Sequence, residues 1–438
     1  GVKYSAADMQ YFYNNAYTNY ANNYAFDTTA SVKDQIYDEA TGQSWYDFLM
    51  ESATETVALA AKARSEGFTL TEETRSQMNS SLAQLNTSWI SYGYASRDAF
   101  IRANFGAHMT FDRLSELVEL EYLASDYATA RIDAIDHSDA DYDAYYQEHT
   151  DDLDTITYTQ FTFQAMVPAT DADGNELSLT DSEKAERLEE LKTERKALAE
   201  ELKARLEAGE DPEALDEEYA DQLYSSSISQ ASMGTNVSYS TYADWLLDSA
   251  REAGDITLTE RDSGTACYYY VAVFEGRARD EEPTNDVRHI LIRAGSAVNT
   301  EEPTQEEYDE AEEKAQSILD EWKAGEATEE SFIALVADNS DDTGSAQSGG
   351  LISNITSTSS YVESFRDWAT DPARGEGDAE LVKSEYGWHI MYYVSSGDPI
   401  WRQNTAAALN NQDYEQLIAA AVQEMGVTQG AGMRFVKA

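Results

Sequence analysis

The sequence predicts an α+β protein: a helical N-terminal region followed by two tandem copies of one strand-and-helix unit. Three observations carry this. Apolar residues recur at helical spacing through the first ~150 residues. Alternating, strand-like text first occurs at Ile156–Met166. The text after it repeats: Asp244-Trp245 stands nine residues before Gly254-Asp255, and Asp367-Trp368 nine before Gly377-Asp378. At 438 residues the chain is too long for one hydrophobic core.

The opening is rich in aromatic residues at helical spacing (Tyr11, Phe12, Tyr13, Tyr17, Tyr20, Tyr24). Such a stripe is ordinarily core; its other use is an aromatic client-binding groove. The next helix is expected from about Trp45 to Ala63, stopping at Gly67. Thr69-Leu70-Thr71-Glu72 has a capping-box pattern and opens a helix to about Tyr92. Another runs from about Phe111 to Ile135, with Leu114, Leu117, Val118 and Tyr122 on one stripe.

After the strand at Ile156–Met166 a turn is expected at Asp173-Gly174-Asn175. A charged helix follows from about Thr180 to Glu207, opened by Thr180 and Glu183 and closed at Gly209. Leu188, Leu191, Leu198 and Leu202 lie beneath its solvated face. In the second copy the long helix begins after the capping box Thr304–Glu307. Beyond Trp401 the sequence predicts one helix around Asp413–Met425 and a short strand at Met433–Val436.

The repeat can be extended without a gap. Gly264 then matches Gly387, and Tyr269-Tyr270-Val271 matches Tyr392-Tyr393-Val394. Ala208-Gly209-Glu210 corresponds to Ala324-Gly325-Glu326, and strand Tyr158–Ala165 to Val287–Ala294. Each copy reads β-α-α-α-β-β.

Charge narrows the function classes. Asp and Glu total 83 against 30 Lys and Arg, a formal net charge of −53. Such a chain is repelled by nucleic-acid phosphates and anionic lipids, so no nucleic-acid partner is expected. Solubility explains the charge more simply than attraction of basic clients. The single cysteine, Cys267, excludes an intramolecular disulfide and has no adjacent base. No apolar run reaches the ~18 residues of a membrane span. No secretory signal is visible, although the abrupt start at Gly1 suggests trimming.

Of five histidines, His289 and His389 fall in the opening and closing strands of the second copy. A lone strand histidine is ordinarily a satisfied core residue, but two in one small domain call for an explanation. Arg288-His289-Ile290-Leu291 opens the unit, Gly387-Trp388-His389-Ile390 closes it, and Ser345-Ala346 with Gly349-Gly350 lies between. Lys314-Ala315, Ile318-Leu319, Phe332, Leu335 and Ser340-Asp341-Asp342 extend the pattern. This set resembles the parvulin-type peptidyl-prolyl isomerases and places such a domain at 283–399.

The resemblance implies rotation about Xaa-Pro bonds, whose uncatalysed barrier is about 18–20 kcal/mol. No bond breaks, so neither metal nor cofactor is expected. It further implies that His289 and His389 form a buried imidazole pair, that Asp342 lies close to the rotating peptide, and that Ser384 joins the hydrogen-bonded network. Tyr361, Phe365 and Leu351 are expected to wall the proline pocket, with Trp388 packed nearby. Each copy is expected to be an antiparallel sheet surrounded by helices.

Two departures stand out. The family continues Gly-Gly-Asp-Leu-Gly where this chain has Gly349-Gly350-Leu351-Ile352-Ser353, which is expected to alter the loop and lower activity. The loop after Arg293 turns acidic at Glu301 and Glu302, against phosphate-directed specificity. In the first copy, at 151–282, Gln160 is expected in place of His289 and Ala266 in place of His389, leaving an inactive parvulin-like module. From Gly209 to Trp245 is 36 positions against 43 from Gly325 to Trp368, and no Ser-Ala-x-x-Gly-Gly stretch is recognisable there.

Tandem parvulin-like units behind a helical region resemble the SurA/PrsA-like foldases. That arrangement implies a chaperone body at 1–150, completed by the helix and tail at 400–438. It implies unfolded or newly exported polypeptides with Xaa-Pro bonds as partners, and work outside the cytoplasmic membrane, with membrane attachment only through an anchor not present in this chain. A non-catalytic holdase or an assembly scaffold is the alternative.

Overall fold

The structure is a computed structural model that describes residues 3–23, 25–170, 177–295 and 303–437. Tyr24, the turn expected at Asp173-Gly174-Asn175, and Glu301-Glu302 lie outside the described residues. The chain divides into two compact units, Gly1–Asp139 with Ala407–Ala438, and Ala140–Ala406. Among the described residues no helix is long and apolar enough to cross a membrane.

In the first unit, helix α1 (Ala6–Asn22) starts at a capping box between Ser5 and Asp8. It buries Tyr11, Phe12 and Tyr13 in the core, with Tyr17 and Tyr20 packed partly buried beside them. A short hairpin, β1 (Ile36–Asp38) and β2 (Gln43–Ser44), precedes α2 (Trp45–Ser65). Helix α3 (Glu72–Ser91) is capped by Thr71, whose hydroxyl accepts from the Thr74 amide. The expected Thr69–Glu72 box therefore starts two residues too early: Leu70 is buried, and Glu72 is already helical. Helix α4 (Arg97–Phe105), which lacks a clear apolar stripe, and α5 (Phe111–Ile132) complete the packing. Leu114, Leu117 and Val118 of α5 are buried against α2 residues such as Leu49, Val57 and Ala60.

The second unit begins with α6 (Asp139–Glu148) and α7 (Thr150–Leu153). The first copy runs β3 (Thr155–Met166), α8 (Asp181–Glu207), α9 (Pro212–Tyr219), β4 (Ser225–Met233), α10 (Gly234–Val237), α11 (Ala243–Leu247), β5 (Ile256–Asp262) and β6 (Ala266–Ala278). The second runs β7 (Pro283–Arg293), α12 (Gln305–Ala324), α13 (Glu329–Asn339), α14 (Thr343–Ala346), β8 (Leu351–Ile355), α15 (Glu363–Ala369), β9 (Ala379–Ser384) and β10 (Gly387–Pro399). Each copy forms a four-stranded antiparallel sheet, in the orders β4-β3-β6-β5 and β8-β7-β10-β9. The expected β-α-α-α-β-β order thus omitted one edge strand and one short helix per copy. β4 is mostly serine, and β8 follows directly on the glycine pair, so neither alternates legibly.

The long helix of each copy covers one sheet face. Leu188, Leu191 and Leu202 of α8 pack on Phe161, Phe163 and Val271. Ala315, Ile318 and Leu319 of α12 pack on Ile290, Ile292 and Ile390. The opposite faces carry separate clusters around Tyr242 in the first copy and Phe365 in the second.

The ladders also correct the repeat. Gly254 donates to the Phe274 carbonyl and the Phe274 amide to the Asp255 carbonyl, as Gly377, Tyr393 and Asp378 do, and Thr259 pairs with Tyr270 as Val382 pairs with His389. The β5–β6 hairpin is thus four residues longer than β9–β10, so the ungapped match of Gly264 to Gly387 fails. Tyr270, not Ala266, stands in the place of His389, while Gln160 keeps the place of His289. The paired tyrosines hid the insertion by making a false match.

Helix α16 (Ile400–Met425) starts well before the expected Asp413, directly after Pro399. Asn404, Asn410 and Asn411 weaken the helical signal of its first half. The expected strand at Met433–Val436 is instead a 3₁₀ turn, Ala431–Phe435: Met433 donates to the Gly430 carbonyl, and no strand among the described residues pairs with it.

Candidate active site

The site lies on the sheet face of the second copy away from α12. His289 on β7 and His389 on β10 are next-nearest across the ladder, because His289 pairs with Met391 and Leu291 with His389. On antiparallel strands this diagonal brings two long side chains on one face together. Their Nδ1 atoms lie 3.1 Å apart and their ring centroids 5.3 Å apart. Both imidazoles are buried.

The outer nitrogens meet different partners. His289 Nε2 lies 2.9 Å from Asp342 Oδ2, and His389 Nε2 lies 2.8 Å from Ser384 Oγ. A carboxylate accepts only, so the network assigns His289 Nε2 the proton and makes its Nδ1 the acceptor. His389 Nδ1–H then donates to it, and the Ser384 hydroxyl donates to His389 Nε2. Ser384 Oγ in turn accepts from the Tyr386 amide at 3.2 Å. Every member is satisfied with both histidines neutral.

The electrostatics agree. Burial holds His289 below its ordinary value despite Asp342. Burial, followed by repulsion from His289, pushes His389 down to about 3. Burial works against the Asp342 charge, but hydrogen bonds from Ser345, His289 and the Gly344 amide outweigh it and keep the carboxyl below its usual range. Asp342 also caps α14, so one carboxylate terminates both the imidazole chain and a helix.

Local backbone fixes Asp342. The edge of β7 beyond β8 is sealed by residues 340–342: Leu291 N donates to Ser340 Oγ, and the Asp341 amide to the Leu291 carbonyl. Gly350 sits at φ +72°, accepts from the His289 amide and donates to the Ser345 carbonyl. A Cβ there would overlap the His289 carbonyl oxygen. The glycine pair is therefore intact, and the departure that follows it is the start of strand β8.

Of the expected pocket walls, Phe365 meets both imidazoles edge-on, with centroids 5.2 Å from His289 and 5.3 Å from His389. Tyr361 leans on Phe365 at 5.4 Å and is 42% exposed. Leu351 and Trp388 are not walls. Leu351 pairs with Arg288, and Trp388 with Ile292, which puts both on the opposite face; Trp388 packs in the α12 cluster. Strand alternation decides this, since one residue of shift reverses the face. Ile352, opposite Val287, packs with the Phe365 cluster instead.

Ser345 was missed as a site residue although it belongs to the motif. Its hydroxyl lies 2.5 Å from Asp342 Oδ2 and 3.2 Å from His289 Nε2. Its position three residues after an acidic helix cap was the available signal.

The first copy shows what the site becomes without imidazoles. Tyr242, in the place of Phe365, donates its hydroxyl to Gln160 and leans on Tyr270 with centroids 5.8 Å apart. Amide and phenols fill the space of the imidazole pair.

Residues 289–395 match the family described as Rotamase, PPIC-type PPIASE domain. The chaperone SurA of Pseudomonas fluorescens is 29% identical over 173 residues, 38% of this chain and 37% of that protein. SurA of Saccharophagus degradans is 28% identical over 140 residues, 32% and 29% of the two chains. The match spans little more than a third of these relatives at most. Among solved structures, PrsA from Bacillus subtilis covers 91% of this chain and 94% of its own, at 12% identity and a TM-score of 0.32. PrsA from Bacillus anthracis covers 34% and 64%, at 17% identity and a TM-score of 0.21. The chain carries, across residues 289–395, a domain of the PPIC-type peptidyl-prolyl isomerase family.

Proposed function

We propose that this protein is a parvulin-type peptidyl-prolyl cis/trans isomerase and chaperone that assists the folding of exported polypeptides. The observation that carries the catalytic part is the closed chain Ser384–His389–His289–Asp342, lying against the buried ring of Phe365 with the exposed Tyr361 beside it. A proline ring seated on Phe365 sheds water, and the prolyl amide then lies in a medium that favours its twisted, less conjugated form. The neutral imidazoles fix the floor and hold the Asp342 carboxylate in place. That charge responds to the changing polarity of the rotating amide. His289, Asp342, Ser384 and His389 are the proposed catalytic set, and Tyr361 and Phe365 the proline-binding walls.

The chaperone part rests on the separate helical unit, Gly1–Asp139 with Ala407–Ala438, proposed as a client-holding body. The first copy, at 151–282, is proposed as a silent spacer or binding module. Unfolded polypeptides with Xaa-Pro bonds are the proposed clients, and the proposed place of work is the cell surface or envelope.

The test is a proline-peptide isomerisation assay on the full chain and on Asp342→Ala. A measurable rate that drops in the variant supports the reading. Equal, negligible rates in both would sink the enzyme and leave a holdase.

A further inference from the structure

The last described residues of the chain lie along α1 in a way that regular structure does not explain. Gln10 reads the backbone of Lys437 with both ends of its amide: Oε1 accepts from the Lys437 N–H at 2.6 Å, and Nε2 donates to its carbonyl at 3.0 Å. Tyr46 Oη donates to the Val436 carbonyl at 3.1 Å. The Val436 side chain between them is 2% exposed and belongs to the core of the unit. Three backbone groups in a row are thus met by side chains from two helices, and one small apolar side chain is swallowed. Contacts of this kind select extended backbone and an apolar residue, and are blind to most of the rest of the sequence.

The trough does not end with the tail. A cavity of about 700 Å³ continues along α1, lined by Tyr13, Asn14, Tyr17, Phe105, Gly106 and Phe435. Tyr13, 1% exposed, is a buried part of its wall. Phe435 borders this cavity yet is 64% exposed, so the tail fills the Val436 position and leaves its aromatic neighbour outside.

We propose that the trough along α1 is a binding site for an extended peptide segment carrying a β-branched apolar residue, and that Val436 and Lys437, extended after the 3₁₀ turn, occupy it in cis as an internal peptide. An incoming segment competes with the tail for Gln10, Tyr46 and the Val436 pocket, and extends further along the cavity beside Asn14 and Phe105. The tail thereby sets a threshold: occupancy by its own chain lowers the apparent affinity by the fraction of molecules left open. The site lies in the helical unit and does not depend on the isomerase reading.

The experiment uses the full chain, a chain ending at Gly430, and the full-length variant Val436→Asp. The probe is a fluorescent peptide with the sequence of residues 430–437, followed by anisotropy. Both altered proteins should bind it about tenfold or more tightly than the parent. Adding Gln10→Ala to the chain ending at Gly430 should cancel the gain. Circular dichroism confirms that the helices persist. If the shortened chain loses its helices, Val436→Asp and the full-length double variant Gln10→Ala, Tyr46→Phe decide instead: the tail should become labile to carboxypeptidase in both. Helical proteins that bind the probe no better than the parent, or a tail that stays protected in those variants, would overturn the proposal.

Discussion

His389 Nδ1–H donates to His289 Nδ1 across 3.1 Å, and this bond joins the first and last strands of the second copy at the floor of its site. It is the centre of a chain that runs one way, from the Tyr386 amide through Ser384 and both imidazoles to Asp342. Reversing any donor would leave two acceptors or two donors facing each other.

Removing the terminal acceptor should therefore act on rate more than on fold. Asp342→Ala is expected to lower kcat/KM for a proline peptide about 10- to 100-fold, the worth of one charge-assisted hydrogen bond. Asp342→Asn should fall between, because the amide still accepts from His289. A peptide isomerisation assay with both variants checks the order.

Acid should loosen this copy. His289 and His389 are held below their ordinary value of 6.5, His389 at about 3. The unfolded chain then binds more protons across that window, so stability is full above about pH 6.5 and falls as the pH drops towards 3. Asp342, also held low, adds loss in the same sense below its ordinary value of 3.8. Hydrogen exchange at the β7 and β10 amides against pH should report this, and His389→Phe should flatten the slope.

Gly350→Ala should cost about 3 kcal/mol in the second copy, because positive φ and a blocked Cβ coincide there. Urea unfolding followed by Trp322 and Trp368 fluorescence would measure it. Gly377→Ala, with open space around it despite φ +87°, should cost less.

Isomerase activity should follow the second sheet alone. Gln160→Ala and Tyr242→Phe are expected to leave kcat/KM within about twofold, whereas His389→Ala lowers it at least as far as Asp342→Ala. Activity that tracked the first-copy substitutions would reverse the assignment of the silent copy.

Much of this molecule was legible in the sequence. The helix caps at Thr180 and Thr304 and the strands around Phe161 and Ile290 follow from short-range patterns that local chemistry enforces, whereas the pairing of His289 with His389 was implied only by the resemblance. Asp342 and Ser384 were expected beside that pair through the resemblance, and the structure places both in hydrogen-bond reach of the imidazoles.

What local pattern could not settle was whatever depends on register. Leu351 and Trp388 looked like site residues by position, but alternation across β8 and β10 turns them to the helix-covered face. Tyr270 was hidden as the counterpart of His389 because a four-residue hairpin insertion is invisible where tyrosines repeat. The serine-rich β4 gains its strand character only by pairing with β3. By itself the sequence determined the α+β class, the two copies and the residue types of the proposed site. Which face each side chain takes was decided by the tertiary structure, since backbone pairing between distant strands, and not any residue's own preference, sets register.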